Sequence, residues 1–350
     1  MLTTLAECGG TTFEFVVATD GRLLSELRER NARVHFFGDV RLSHPSSLLR
    51  GRHHFRSLLR RRAYAAVICH APWSHAIFAG VARGCGVPAV FWQHDAATGI
   101  PLLERACRAA GADLVISNSR WTAATAGLLH PHVPCRVIHC PVGRVSHSRE
   151  ARAEVRRELG ARPDDVVILS ASRMEAWKGH LDLVRALRRL NGLPWVLWIA
   201  GAAQRAHERA HAAAVVDAVR RLGLESRVTF LGERRDVDRL LIGTDVLAQP
   251  NTEPEPFGIV FAEALRAGVP VVTTNIGGAP EIADQSCGRL VAPNDRGALV
   301  SALSALISDS ALRKTLSAAG PARAVSICGP SSVLTQLTDA IASLRLPTAA

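Results

Sequence analysis

Two carboxylates eight positions apart, Glu255 and Glu263, flank Phe257, Gly258 and Ile259. Just before them, residues 246–249 are a short apolar run ended by Pro250, the pattern of a buried strand. A Pro-rich loop carrying Glu255 follows. From Ile259 the apolar residues recur at Val260, Phe261, Ala264 and Leu265, a helical spacing that stops at Gly268 and Pro270. Residues 271–274 are the next strand. A strand–loop–helix–strand unit of this length is a parallel crossover, so the loop lies at the carboxyl edge of a strand, where open α/β sheets bind ligands. The first amides of a helix lack internal partners and favour an anion, and Gly258 lets the backbone approach a ligand closely. The segment can therefore offer amide donors to a phosphate and two carboxylates to hydroxyl groups, a set suited to a sugar nucleotide. The plainer alternative leaves Glu255 complementing a helix dipole and Glu263 as a solvated helix residue.

A second group sits behind an earlier strand, 166–170. Ser172, Arg173, Met174, Glu175, Ala176, Trp177, Lys178, Gly179 and His180 follow it and open a helix at Leu181. Arg173 and Lys178 thus share a carboxyl-edge loop, where two cations can neutralise a diphosphate; a solvated pair of loop cations is the alternative. Lys178 and Lys314 are the only lysines among 42 basic residues, which hints at a specific demand at Lys178. Further upstream, Phe91, Trp92 and Gln93 end a strand at His94, again a carboxyl edge, although a lone histidine there is more often structural than catalytic. Asp236 and Asp238 form a D-x-D that starts a short helix after Phe230, Leu231 and Gly232. We read Asp236 as an N-cap and assign no metal to it.

These groups need a frame, and the strand pattern supplies one. Strands are expected at 13–18, 34–37, 64–69, 89–92, 114–117 and 136–139, then at 166–170, 195–200, 228–231, 246–249, 271–274 and 289–291, with helical stretches or Gly/Pro turns between them. Each half reads as a mostly parallel, doubly wound sheet. Residues 2–6 look like the end of a helix, with Gly9 and Gly10 as a turn after it. The polar, charged stretch 141–162 marks the domain boundary, giving domains 1–145 and 146–329. Gly277 and Gly278 open another loop-to-helix entry.

At 350 residues, 48% hydrophobic and 21% charged, the chain is globular and long enough for two domains. No apolar run approaches the roughly 20 residues of a membrane span, and the N-terminus has neither the basic start nor the apolar core of a signal peptide. Eight scattered cysteines without zinc or redox spacing suit a reduced, cytoplasmic protein. The net charge of +11 is uneven: residues 1–150 hold 18 Arg against 10 Asp and Glu. Such a half could face anionic lipid, nucleic acid or a phosphorylated substrate. Without a helix-turn-helix, zinc or aromatic-platform signature, nucleic acid is not expected as a partner. Residues 46–63 combine Leu48, Leu49, Phe55, Leu58 and Leu59 with six Arg and two His. A helix there is basic and amphipathic, compatible with peripheral contact on the inner membrane face, or with an ordinary surface helix.

The segment EPFGIVFAEALRAGVPVVTTNIGGAPEI resembles the E-x7-E region of family 4 (GT4) retaining glycosyltransferases, which have the GT-B fold. Arg173 through Lys178 and Gly179 is similar to the family's Arg…Lys-Gly segment, the strand ending at His94 to its strand-end histidine, and residues 112–122, with Asn118 and Ser119, to a stretch near the end of its first domain. The resemblance implies an α/β chain of two Rossmann-like domains facing a central cleft. A terminal helix, 330–345, would cross back onto the first domain. The substrate would be a nucleoside-diphosphate sugar, with no cofactor and no metal. Arg173, Lys178 and the helix start at Ile259 would hold the diphosphate, and Glu263 the ribose hydroxyls. Glu255, with amides near Phe257 and Gly258, would hold the sugar ring, and His94 would approach the reacting sugar. Retention would come from same-face attack, the leaving phosphate oxygen taking the acceptor's proton. Donor sugar, base and acceptor (glycan, lipid or small molecule) stay open. Against the family, the chain is expected to begin inside the first helix, without the opening strand and glycine-rich turn. A non-catalytic or truncated GT-B relative that only binds sugar nucleotide is therefore the alternative. A sugar-nucleotide epimerase on the same fold is a further one, against which the Arg173–Lys178 loop paired with Glu255 and Glu263 argues.

Overall fold

Strands covered by helices on both faces read as near-continuous apolar runs, and such runs recur through both halves of this chain. In a computed structural model, which describes residues 1–9, 12–143 and 148–345, they form parallel-paired strands in two units. These are Met1–Pro141 with Cys328–Ala350, and Val142–Ile327. Gly10 of the expected turn and residues 144–147 of the expected boundary lie outside the described residues.

The first unit opens on the helix Leu2–Gly9. Its strands are β1 (Glu14–Val17), β2 (Arg33–Phe36), β3 (Val67–Cys69), β4 (Ala89–Gln93), β5 (Leu114–Ser117) and β6 (Cys135–Val137). One sheet was expected and two are found: β1 pairs with β2, and β3, β4, β5 and β6 form a second sheet in that order. Side chains join the two. Ala18, just past β1, shares a core with Cys69 of β3 and with Phe55 and Leu59 of the helix Pro45–Arg61. Glu14 accepts hydrogen bonds from Tyr64 at 2.7 Å, His35 at 2.9 Å and Arg62. Burial alone would raise the Glu14 carboxyl, but the bonds from Tyr64 and His35 and the charge of Arg62 outweigh it and bring it down to about 2. The helix Pro330–Ala342 places Val333, Leu337 and Ala340 in a core with Leu5, Val90, Trp92, Leu114 and Ile116.

The basic stretch 46–63 is the helix Pro45–Arg61. Its apolar side faces inward, because Phe55 and Leu59 are buried and Leu48 packs on the same core. Leu49 is 66% exposed, among the outward-facing Arg50, His53, His54, Arg56, Arg60 and Arg61. Most of the apolar residues counted toward a membrane face therefore serve the core. No described helix is long and apolar enough to cross a membrane.

The second unit carries β7 (Val166–Ala171), β8 (Trp195–Ala200), β9 (Val228–Gly232), β10 (Val246–Gln249), β11 (Val271–Thr274) and β12 (Gly288–Val291). They form one parallel sheet in the order β12-β11-β10-β7-β8-β9. Strand order reverses between β7 and β10, which pair directly, Ile168 opposite Val246. The loops leaving the carboxyl ends of these two strands flank a topological switch point, the ligand crevice of open α/β sheets.

Candidate active site

The loop after β7 ends in a 3-10 turn, Ala176–Lys178, closed by Gly179 at φ 76°. A Cβ at Gly179 would lie 1.9 Å from the carbonyl oxygen of Pro250, so only glycine lets this loop lie against the one that leaves β10. A backbone bond from Thr252 N to Trp177 O, 2.7 Å, fastens the two. Lys178 is thereby aimed across the switch point. Its Nζ lies 3.7 Å from the Trp177 ring centroid and 2.7 Å from Oε2 of Glu255.

Glu255 is 7% exposed, and a buried carboxylate needs donors. Oε2 receives three: Lys178 Nζ, Asn251 Nδ2 at 3.0 Å and Gln249 Nε2 at 3.3 Å. Among the described residues none reaches Oε1, which stays available to a ligand hydroxyl. The Glu255 backbone is held as well, because Gly278 N donates to its carbonyl at 2.7 Å. Gly277 at φ 68° allows that approach, since a Cβ there would stand 2.3 Å from the same oxygen. The two glycines read from the sequence as a helix entry thus also brace the Glu255 loop.

Gly258, in the left-handed region at φ 83°, caps the helix Ile259–Arg266. A Cβ there would come within 2.3 Å of the Phe261 ring. The Phe257 side chain is buried. Among the described residues, the amides of Ile259 and Val260 meet no acceptor, as expected at a helix start. Glu263, one turn further on, is half-buried. Burial, reinforced by the negative charge of Asp238, pushes its carboxyl up to about 7.

Arg173 does not join Lys178 on Glu255. Its guanidinium pairs with Glu175 at 2.9 Å and Glu208 at 3.5 Å, and the buried Glu208 also accepts from the amides of Gln204 and Arg205. Asp236 does precede a helix, but its side chain makes no cap bond. Arg234 grips it in two-pronged fashion at 2.8 and 2.7 Å and holds its carboxyl below the usual range.

In the first unit, His94 follows β4 and lies over His70, which follows β3. The rings are stacked 5.4 Å apart with Trp92 beyond, and His70 Nδ1 is 3.1 Å from His94 Nε2. Burial pushes His94 down to about 4 and His70 well below its ordinary value, helped by His94 itself, so both are neutral at pH 7. One nitrogen of the pair must donate and the other accept. Asn118 Nδ2 holds the His94 carbonyl at 2.9 Å and is in turn fixed by Thr122. That gives the Asn118–Ser119 edge the positioning task that the sequence left unassigned.

Sequence reasoning missed Gln249, Asn251 and His70. Their residue types and places were visible, Gln249 ending β10 with Asn251 just past it and His70 following β3 as His94 follows β4, but not the partners that they meet.

Residues 151–323 match the family model described as glycosyl transferases group 1. The match lies within the second unit. The chain is 33% identical over 185 residues to a D-inositol 3-phosphate glycosyltransferase of Mycobacteroides abscessus, covering 51% of this chain and 41% of that protein. It is 38% identical over 101 residues to a phosphatidyl-myo-inositol mannosyltransferase of Mycobacterium leprae, 28% of this chain and 27% of the relative. The chain thus spans less than half the length of these curated relatives. Among solved structures, Anabaena Alr3699/HepE in complex with UDP and glucose superposes with a TM-score of 0.85 at 23% identity, over 98% of this chain and 95% of that one. A glycosyltransferase from Rickettsia africae gives 0.82 at 19% identity, over 99% and 95%. At these identities the likeness shows the fold, and the fold is GT-B: two Rossmann-like units.

Proposed function

We propose that this chain transfers a sugar from a nucleoside-diphosphate sugar to a hydroxyl acceptor with retention of configuration, as in the GT4 family. The observation that carries the proposal is the Lys178–Glu255 pair, 2.7 Å apart across the switch point, beside the open amides of Ile259 and Val260. The names of the curated relatives and the UDP-bound HepE structure support it.

Loss of the diphosphate places negative charge on the leaving oxygen and positive character on the sugar. Lys178 carries three N–H donors, so it can keep Glu255 and still meet a phosphate oxygen. With the Ile259 helix start it presents fixed positive potential where that charge develops, which is electrostatic preorganisation. Glu255, its Oε2 fixed by three donors, turns Oε1 toward a sugar hydroxyl. Glu263 is assigned to the ribose hydroxyls, Phe257 and Gly258 to the sugar through their amides, and Arg173 to the diphosphate once a donor competes for it. For His94, the family resemblance supports a role toward the sugar. The acceptor hydroxyl attacks the anomeric carbon as the bond to the phosphate oxygen breaks, and that oxygen takes the hydroxyl proton. No protein nucleophile and no cofactor enters this scheme. A peripheral contact with anionic lipid would rest on the outward arginines of the helix Pro45–Arg61 and thus on charge, weakening with salt.

Titrating the protein with UDP- and GDP-sugars by calorimetry identifies the donor, and Lys178→Ala tests the site. Lys178→Ala should lower transfer by at least about a hundredfold, the scale of one lost electrostatic stabiliser. Near-normal turnover would remove Lys178 from the machinery. Donor binding with neither cleavage nor transfer product would favour a protein that binds sugar nucleotide only.

A further inference from the structure

Three groups that this reaction does not use converge in the first unit. His75 lies on the helix Pro72–Arg83, Cys107 on the helix Leu102–Ala110, and His130 just past the helix Ala126–Leu129. All three are buried, and one ligand atom from each lies within 4.8 Å of the other two. Cys107 Sγ stands 3.6 Å from His130 Nε2. The His75 and His130 rings meet edge to face at 5.1 Å, with Phe91 against both.

The His75 tautomer follows from its surroundings. Nε2 is 2.9 Å from the carbonyl oxygen of Gly111. A carbonyl only accepts, so Nε2 carries the hydrogen and Nδ1 is left with its lone pair. That Nδ1 is buried, in a ring that is 0% exposed, without a partner among the described residues, an unfavourable state unless something occupies it. An unsatisfied buried group of this kind calls for an occupant or an explanation.

We propose that His75, Cys107 and His130 bind one thiophilic d10 ion, Zn(II) or Cu(I), as a structural centre of the first unit. Imidazole and thiolate are the ligands both ions take. Tetrahedral zinc with bonds of about 2.3 Å to sulfur and about 2.05 Å to nitrogen has an S···N edge of about 3.6 Å, the spacing Cys107 and His130 already show. His75 would bind through Nδ1 while Nε2–H stays on Gly111. That arrangement is the outer-shell bond that fixes ring and tautomer at metal-bound histidines. The balance is simple: the Cys107 thiol loses its proton to solvent, the thiolate forms the S–metal bond, and one proton is released per ion. The ion would tie the helix Pro72–Arg83 to the helix Leu102–Ala110 and to the end of the helix Ala126–Leu129, the last two of which already share a small core with Ala112 and Val115.

Reduced full-length protein, titrated anaerobically with Co(II) as the spectroscopic probe, tests this. The exposed Cys8 and Cys135 are first replaced by Ser to remove competing thiols. One Co(II) per chain with a near-ultraviolet thiolate-to-metal band is expected. Its displacement by one equivalent of Zn(II), or by Cu(I) alone, separates the two ions. Cys107→Ser and His130→Gln should lose the band while far-ultraviolet dichroism and UDP affinity stay unchanged. If either variant fails to fold, the parent protein decides, because ion binding must release one proton and raise the melting temperature reversibly on chelation. Absence of stoichiometric uptake in the parent protein, or equal uptake in a folded Cys107→Ser variant, would leave only a buried thiol–imidazole hydrogen bond and overturn the proposal.

Discussion

Glu263 gives the proposed donor site a carboxyl that titrates near neutrality. Burial and Asp238 raise its carboxyl to about 7, so it is protonated below neutrality and a carboxylate above. The carboxylate accepts from ribose hydroxyls on both oxygens with full negative charge, whereas the acid is a weaker acceptor and spends one oxygen on an O–H donor. Donor affinity should therefore rise as pH increases through about 7, and Glu263→Gln should remove that rise and bind donor weakly throughout. Calorimetry with UDP at several pH values checks it, and an unchanged pH dependence in the variant would take Glu263 off the ribose. Residue types made Glu255 and Lys178 stand out in the sequence, as a carboxylate and a rare lysine behind apolar strands, and the structure brings these two together. The amides of Gln249 and Asn251 were not legible. Their task is to fix one oxygen of a carboxylate a few residues on, and nothing in their spacing says that the chain folds back on itself there. His70 was hidden similarly, since its meeting with His94 depends on how β3 and β4 register, Cys69 opposite Phe91.

At the scale of elements, two junctions carry strain or charge that single substitutions can probe. Gly258 holds φ 83° with the Phe261 ring where a Cβ would go. Gly258→Ala must shift the start of the helix Ile259–Arg266, so donor affinity should fall by at least about tenfold, the effect of a displaced anion site worth about 1.4 kcal/mol, with a lower melting temperature. A variant that melts lower yet binds UDP normally would separate the helix start from the donor. Glu14 is the other junction. Its folded carboxyl is depressed to about 2 against about 4.3 in an unfolded chain. Its stabilisation is therefore complete above about pH 4.3 and is lost as pH falls toward 2. Glu14→Gln should cost about 1–3 kcal/mol at neutral pH and flatten the acid limb of the melting curve in that window; identical acid limbs would refute it. Strand positions were legible here, because β5, β8, β10 and β11 fall where the apolar runs place them. The separation of β1–β2 from β3–β6 was not, since ladder pairing is a long-range property that no local run encodes.

Across the whole molecule, the chain leaves its first unit at Pro141 and re-enters it at Cys328, so that unit is built from both ends of the sequence. Leu5 from one end and Val333, Leu337 and Ala340 from the other share a core with β4 and β5. The 0% exposure of Leu337 means that Leu337→Ala removes buried apolar volume that the site cannot easily refill, at about 2–5 kcal/mol. The residues of the proposed donor site that touch one another, Lys178, Glu255, Gln249 and Asn251, all belong to the other unit. A ligand stabilises what it binds, by about 2.7 kcal/mol at a hundred times its dissociation constant. Two cores that answer to different perturbations should melt as two transitions. Leu337→Ala should lower one of them, UDP should raise the other, and the two shifts should be independent in calorimetric scans of wild type and variant with and without UDP. A single transition moved by both would mean that the cores unfold as one, and that the return of the chain at Cys328 makes them cooperative instead of merely connecting them.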